Sequence, residues 1–312
     1  MNGPGPARFR GDPAELYVLD EDAAAELDGT APALIVALDG YVDAGSGVQL
    51  AVGELRRTLP THPVATFDAD ALVDYRSRRP SLTFESNAFT AYDTPALVIE
   101  RLRDEAGTPF LLMTGPEPDL SWEKFAAAVI DLVRRLGVRL TISLMAIPMG
   151  VPHTRPTGMS AHATSPDLIP DATNWIGTVQ VPGHATGLLE YRLGEQGLPA
   201  LGFAAHVPHY LTRSEYPETA RTLIQAAADA SGLLLPTSGL DESAAAVQAQ
   251  LGEQIAEHGE VAEVVHALEK QYDAFVSASG HNLLAQSAPL PTADELGAQF
   301  EAYLANREKP ED

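Results

Sequence analysis

The sequence contains no cysteine. Disulfides, thiolate nucleophiles, thiolate-bound zinc and iron–sulfur clusters are therefore excluded, so any metal would need His, Asp or Glu ligands. Long apolar runs are also missing, since no stretch approaches the roughly eighteen residues of a membrane span. The Gly/Pro-rich start MNGPGPARFRGDP lacks the apolar segment of an export signal. We therefore expect a cytoplasmic protein that does not cross a membrane.

Basic residues are scarce: 20 Lys and Arg stand against 43 Asp and Glu, which gives a formal charge of −23. Such a charge repels phosphate backbones and anionic membranes, so we expect no binding to nucleic acid or to a membrane. The acidic surface serves solubility, or it meets a basic patch on a partner protein. The 312 residues, 45% of them hydrophobic, are enough for one large domain or two ordinary ones.

Short apolar runs alternate with helical patterns from about residue 14. This alternation predicts an α/β fold, a three-layer α/β/α sandwich with a mostly parallel central sheet. The predicted strands are, in order, ELYVL, ALIVAL, PVATF, ALVIERL, FLLMTG, RLTISLMAI, TVQV and ALGFAA. ALIVAL and LTISLMAI are apolar at nearly every position, as expected of strands covered on both faces. Helices are predicted over residues 44–59, 121–136 and 216–232.

Strand signals stop near residue 236, where PTSGLDES introduces a helical tail. We expect an α/β/α domain over residues 1–235 and a helical C-terminal extension over residues 236–312, including a helix that starts near Thr292. Residues 241–312 hold 14 acidic and three basic residues. These acidic helices either pack one face on the main domain or form a surface for a partner or a second copy.

The stretch LDGYVDAGSG places a glycine-rich loop between a predicted strand and a predicted helix. The glycines permit close backbone approach, and the helix start offers free N–H groups. A phosphate-binding loop is excluded because a Ser-Gly pair stands where that motif requires Lys-Ser/Thr. Alternatively, Asp43 caps a helix that begins near Ala44 and the glycines shape the turn. The candidate ligand-binding residues in this loop are Asp39, Gly40, Asp43, Gly45 and Ser46.

A second loop, TGPEPDLSW, also follows a strand and precedes a helix. In a doubly wound sheet it lies at the same carboxyl edge as the first loop, so Glu117 and Asp119 would face Asp39 and Asp43 across a crevice. The alternative is a rigid proline turn whose acidic residues favour the start of a helix. Glu117 is the candidate ligand-binding residue here.

A third region follows the strand RLTISLMAI and carries six prolines between residues 148 and 182. Such a long loop is typical of a lid, a binding loop or an oligomer contact. His153, Arg155 and His162 are its candidate ligand-binding residues: Arg155 either binds a carboxylate or phosphate or forms a structural ion pair. Five of the nine histidines lie between residues 153 and 209. None forms a tight ligand pair such as HExxH, so we predict no metal and no cofactor, and without a G-x-S-x-G elbow a serine hydrolase is disfavoured.

Three segments carry a family resemblance: DGYVDAGSG, then TGPEPDLSW, then IPMGVPHTRP with SAHAT. In this order they resemble the bacterial, largely actinobacterial branch of the PAC2 family, which is named after a proteasome assembly chaperone. The resemblance covers roughly residues 14–235. It implies a fold like that of purine nucleoside phosphorylase and a homo-oligomer. Some members of the family have been labelled ATP-grasp or carboxylate-amine ligase enzymes.

The resemblance implies a protein that assists assembly of the proteasome core particle. Chaperones of this kind can dock a C-terminal hydrophobic-Tyr-X segment into the α-ring, whereas this sequence ends in NREKPED, with Tyr303 nine residues earlier. Our first hypothesis is a non-enzymatic, homo-oligomeric scaffold that binds proteasome α-ring subunits. The alternative is a hydrolase, phosphorylase or carboxylate-amine ligase acting on a small polar or nucleotide-like ligand at the carboxyl edge. A third is a ligand-binding module without turnover.

Overall fold

An eight-stranded sheet with helices on both faces organises the chain. A computed structural model describes residues 9–40, 42–170, 178–257 and 259–279. Its strands are β1 (Tyr17–Leu19), β2 (Ala33–Asp39), β3 (His62–Phe67), β4 (Leu82–Glu85), β5 (Ala88–Tyr92), β6 (Val98–Arg103), β7 (Pro109–Pro116), β8 (Leu140–Met149), β9 (Met159–Ala163) and β10 (Ala200–Pro208). Its α-helices are α1 (Glu21–Ala25), α2 (Gly47–Thr58), α3 (Ala69–Leu72), α4 (Trp122–Arg135), α5 (Ala185–Glu195), α6 (Pro217–Ser231), α7 (Ser238–Glu257) and α8 (Gly259–Ser279).

The strand order of this sheet is β1-β3-β6-β7-β2-β8-β10-β9. The four adjacent strands β7, β2, β8 and β10 are parallel, while β1, β3, β6 and β9 pair antiparallel with their neighbours. The direction of β3 makes it run the same way as these four strands, so five of the eight strands share one direction. The predicted α/β/α sandwich is confirmed, and the carboxyl ends of four parallel strands meet at one edge of the sheet.

The side chains of β2 alternate between two cores. Leu34, Val36 and Leu38 pack with α4 on one face, and Ile35 and Ala37 pack with α2 and α6 on the other. Both layers exclude water, so every residue from Ala33 to Leu38 is buried. This double burial is the physical reason for the continuous apolar run in the sequence.

Two sequence predictions about strands are corrected by the structure. The segment TVQV is not a strand, and its Val179 and Val181 are 59% and 67% exposed. A proline and a glycine follow it and lead the chain into α5. The strand beside β10 is instead β9, which lies inside the predicted long loop and pairs antiparallel with β10. The β4–β5 hairpin was also not predicted.

Helices α7 and α8 confirm that helices follow the sheet domain at the C-terminal side. Leu240 and Ala244 of α7 are buried, and Leu240 joins the core beneath α2 and α6. Val265 and Leu268 of α8 are buried as well. The predicted helix near Thr292 lies outside the described residues. The boundary between residues 235 and 236 stays a prediction. Within the described residues, every helix is too short or too polar to span a lipid bilayer.

The start of α2 approaches its neighbours too closely for a side chain. A Cβ added at Gly47 would lie 2.5 Å from Thr219 Cγ2 and 3.0 Å from Ala146 Cβ, whereas one added at Gly53 would meet nothing within 4 Å. We expect Gly47→Ala to lower the free energy of unfolding by about 1–3 kcal/mol through overpacking. Gly53→Ala, the matched control in the same helix, should raise it by roughly 0.5–1 kcal/mol. Urea unfolding of both variants measures these changes, and equal effects would contradict the proposed close packing.

Candidate functional site

The Asp43 carboxylate caps α2. Its Oδ1 accepts a hydrogen bond from Val48 N at 2.8 Å and its Oδ2 accepts one from Gln49 N at 3.1 Å. A 3₁₀ turn over Ala44–Ser46 begins at Ala44, where the alternative interpretation placed the helix start, and the α-helix continues from Gly47. Burial raises the pKa of Asp43 above its usual range, while the two helix amides oppose that rise. Asp43 therefore uses both carboxylate oxygens to start the helix.

Gly45 and Ser46 shape the backbone of the same loop. Both have positive φ, 65° and 51°, and a Cβ at Gly45 would lie 2.9 Å from Tyr216 Cβ. Gly45 N donates to Thr212 O at 3.0 Å, and Gly45 O accepts from Tyr216 N at 2.9 Å. Gly45 thus joins the loop to the connection between β10 and α6, and only a glycine fits there without strain.

Glu117 lies beside Asp39 and Gly40. Its backbone N donates to Asp39 O at 3.0 Å, and its Oε2 is 3.3 Å from the position of a Cβ on Gly40. The Glu117 side chain is buried, and its Oε1 accepts a 2.6 Å hydrogen bond from Ala185 N at the start of α5. The first two loops therefore meet as the shared carboxyl edge predicts, with a buried carboxylate between them.

Asp119 does not face Asp39 and Asp43. Its side chain accepts from Asp74 N at 2.9 Å and pairs with Arg78 at 3.3 Å. Arg78 also donates to Asp39 O at 3.0 Å, so one guanidinium links the two loops. Arg78 was not predicted as a site residue, because it lies in a segment without a recognisable pattern.

A small pocket opens beside Glu117. Its empty space is about 330 Å³, including the part open to solvent, and it is bounded by Gly40, Glu117, His184 and Thr186 together with apolar side chains of β2, α2 and β8. Only about 20 Å³ of this space is enclosed, which is room for about one water molecule. A carboxylate, an imidazole and a hydroxyl are its polar groups, so it suits a water molecule or a very small ligand that donates hydrogen bonds or carries positive charge.

His153 contacts the C-terminal helices and does not bound this pocket. Its N and Nδ1 lie 2.9 Å and 2.8 Å from the Tyr210 hydroxyl, and its carbonyl accepts a 3.3 Å hydrogen bond from Gln248 of α7. Burial lowers the pKa of His153, which keeps its ring neutral, and raises the pKa of Tyr210 to about 12. His153 is thus held in a buried polar cluster.

Arg155 pairs with α8. It donates two hydrogen bonds to Asp273, at 2.8 Å and 2.7 Å, and a third to Glu269 at 3.1 Å. Tyr272 of the same helix donates to Pro156 O at 3.3 Å. Of the two interpretations offered by the sequence, the structure has the ion pair, and it attaches the proline-rich region to the C-terminal helices.

His162 lies apart from both groups, on the edge strand β9, where its Nδ1 is 2.9 Å from a carboxylate oxygen of Glu190. Two residues earlier on β9, Ser160 Oγ is 2.9 Å from Nε2 of the buried His206. Among the described residues, no three His, Asp or Glu side chains form a metal-ligating group. The candidate residues therefore fall into three clusters along the sheet.

A family model that matches most of the chain decides the family to which the chain belongs. The model of the PAC2 family matches residues 37–255. This chain belongs to the PAC2 family. The matched range extends past residue 235 into α7, so the PAC2 region includes the first helix of the predicted extension.

Solved structures agree with this assignment. A Mycobacterium tuberculosis protein of unknown function, Rv2714, is 49% identical, with a TM-score of 0.80 over 86% of this chain and 94% of that one. A Corynebacterium glutamicum protein of unknown function is 42% identical, with a TM-score of 0.80 over 85% and 99%. The M. tuberculosis proteasome-assembly chaperone homologue Rv2125 is 27% identical, with a TM-score of 0.68 over 75% and 99%. A search of curated proteins finds no match.

Burial of His206 makes stability depend on pH. Burial lowers the pKa of His206 to about 4 in the folded chain, whereas the ordinary pKa of about 6.5 applies in the unfolded chain. Between these two pH values His206 binds a proton in the unfolded chain and not in the folded chain. Its contribution to the free energy of unfolding is therefore complete above the ordinary pKa and is lost as pH falls. We expect His206→Gln to remove roughly 2–3 kcal/mol of the decline in unfolding free energy between about pH 7 and 4.5.

Urea unfolding across this pH range measures the difference between the two proteins. His62→Gln is the control, because His62 is exposed at the start of β3 and its loss should leave the wild-type profile. Parallel profiles for His206→Gln and the wild type would contradict the assignment.

Proposed function

We propose that this PAC2-family chain is a protein-binding scaffold that assembles with copies of itself and binds a proteasome-related partner. The observation that carries the self-association is the β4–β5 hairpin. Every residue of both strands is exposed, and they form a separate two-stranded sheet. An isolated hairpin is marginally stable in water, so this one is expected to fold against a partner surface.

The apolar side chains of the hairpin share one face. Leu82 pairs with Tyr92 and Phe84 pairs with Phe89, and residues directly opposite each other project to the same side of a sheet. The rings of Phe84 and Phe89 are 5.1 Å apart in an edge-to-face arrangement. The exposed fractions of these four side chains are 54%, 48%, 58% and 69% in the order named. A face of this composition is typical of an interface core.

The size and charge of this face favour a second copy as its occupant. The four side chains expose roughly 450 Å², so two copies bury roughly 900 Å² before the other hairpin residues are counted, close to the low end of stable interfaces. Two chains of charge −23 repel each other. They meet most easily where charge is low, and residues 82–92 carry a single charged residue, Glu85.

The proteasome-related partner is supported by one relative. The protein that is 27% identical over 75% of this chain is described as a proteasome-assembly chaperone homologue. In this chain, the C-terminal helices offer an acidic surface, since Glu242, Glu253 and Glu263 are exposed. A basic patch on a proteasome α-ring subunit would complement them.

Replacing the hairpin aromatics tests self-association. We expect the wild-type chain to sediment as an oligomer and the double variant Phe84→Ser, Phe89→Ser to sediment as a monomer, because its interface loses both rings. Leu234→Ser is the matched control, an exposed apolar residue outside the hairpin, 58% exposed, and it should keep the wild-type mass. A monomeric wild type, or a double variant with unchanged mass, would contradict the proposal.

Charge reversal tests the partner. With the wild-type chain as bait in a native lysate, we expect α-ring subunits to be recovered. The triple variant Glu242→Lys, Glu253→Lys, Glu263→Lys should recover at least about tenfold less, since like charges then oppose each other across the interface.

The control is a second triple reversal on the main domain, at the exposed Asp22, Asp28 and Glu105, and it should recover α-ring subunits as the wild type does. Repeated recovery of none by the wild-type bait would refute the proteasome part of the proposal and leave the hairpin experiment standing.

A further inference from the structure

Ser143, His162 and Glu190 meet on the face of the sheet that α5 covers, and the cavity beside them shares Thr186 with the pocket beside Glu117. Gly202 of β10 pairs with Ser143 of β8 on one side and with His162 of β9 on the other. The three residues therefore form one row across the strands, with their Cβ directions on the same face. Gly202 has no side chain, so its two neighbours can lean toward each other.

The space above Gly202 shows how close they come. A Cβ placed on Gly202 would lie 2.5 Å from Ser143 Oγ and 2.7 Å from His162 Nε2. Ser143 Oγ and His162 Nε2 therefore lie on either side of this point and are at most 5.2 Å apart. The hydrogen bond from Ser143 Oγ to Leu201 O is long, 3.5 Å, so the hydroxyl is weakly held and can turn toward Nε2.

Glu190 orients the histidine from the other side. The two carboxylate oxygens of Glu190 lie 2.9 Å and 2.8 Å from His162 Nδ1. With the proton on Nδ1 donated to this carboxylate, Nε2 is left without a proton and can accept one. The Glu190 side chain is 15% exposed and that of His162 is 46% exposed, while Ser143 is partly exposed. The Glu190 carboxylate on α5, the His162 imidazole and the Ser143 hydroxyl thus lie in this order, and the hydroxyl oxygen is partly accessible.

A small cavity adjoins the serine. Its empty space, including the part open to solvent, is about 180 Å³, and Thr141, Ser143 and Glu190 line it together with Val36, Leu189 and Leu193. Thr141 Oγ1 is buried and has no hydrogen-bond partner among the described residues. A buried hydroxyl without a partner is costly, so this donor is available to a carbonyl oxygen bound in the cavity. The walls are largely apolar and the enclosed room is about that of one water molecule, about 10 Å³, so the cavity admits no acyl group larger than a short one.

We propose that Ser143, His162 and Glu190 form a nucleophilic triad that hydrolyses esters of short acyl groups. Ser143 Oγ attacks the carbonyl carbon while its proton passes to His162 Nε2, and the bond to the alcohol breaks as the alcohol takes that proton. Water then attacks the acyl-serine, gives a proton to His162, and releases the carboxylic acid as that proton returns to Ser143. Such triads are recognised by geometry and not by sequence motif, so the missing G-x-S-x-G elbow does not exclude one.

A second serine on the same face supplies the control. Ser160 of β9 lies 2.9 Å from His206 Nε2. His206 is 2% exposed, so a substrate cannot reach it as it can reach His162. Ser160 therefore shares the strand environment without the accessible histidine and its carboxylate.

The test is labelling of the full chain by a fluorophosphonate, followed by intact mass and peptide mass spectrometry. We expect one phosphonyl adduct, on Ser143, which Ser143→Ala abolishes and Ser160→Ala retains. His162→Gln and Glu190→Gln should each slow labelling, His162→Gln by about 100-fold or more because the general base is lost. Hydrolysis of p-nitrophenyl butyrate should fall in parallel. Far-UV circular dichroism confirms that each variant folds.

Absence of an adduct on Ser143 in the wild type would overturn the triad, and so would a labelling rate that His162→Gln leaves unchanged. These measurements do not depend on self-association or on a proteasome partner. Failure of the triad proposal can therefore be distinguished from failure of the scaffold proposal.

Discussion

Burial of the central strands on both faces is the constraint on which the rest of the structure depends. β2 lies between two helical layers and sends alternate side chains into different cores, and its neighbour β8 sends Leu140, Ile142 and Leu144 into one of them. Strands covered in this way are joined by crossover connections, so β7, β2, β8 and β10 are parallel and end at the same edge. The loops that carry Asp39, Glu117 and His153 leave the sheet at that edge. The contact between the loops of Asp39 and Glu117 follows from core packing and needs no ligand.

The parts of the fold that were predicted are those with strong periodic signals. The strand ALIVAL is buried on both faces and therefore needs apolar residues at every position. The helix that begins at Trp122 is buried on one face and needs them every three or four positions. The meeting of Asp39 with Glu117 followed from strand topology alone. The hairpin, by contrast, was missed because none of the described residues buries it, so its sequence mixes apolar and polar residues like a loop.

The parts of the site that were missed depend on contacts between distant segments. Arg155 and Asp273 are 118 residues apart in sequence, and no local pattern pairs them. The same holds for Ser143, His162 and Glu190, which lie on two strands and a helix and come together only because β9 occupies the edge beside β10. His162 was predicted to lie in a loop, and the sequence does not indicate the strand register that places it beside Gly202. Strand order must be known before such clusters can be recognised.

The attachment of α8 differs in kind from that of α7. Leu240 of α7 belongs to a core cluster, whereas α8 is held in part by Arg155, whose partners Asp273 and Glu269 are 53% and 20% exposed. Charged pairs open to water weaken as dissolved ions screen them, while apolar burial does not. Rising ionic strength therefore weakens the charged part of the α8 attachment, while the burial of its Val265 and Leu268 persists. The dissolved electrolyte thus adjusts how firmly this helix is held without releasing it.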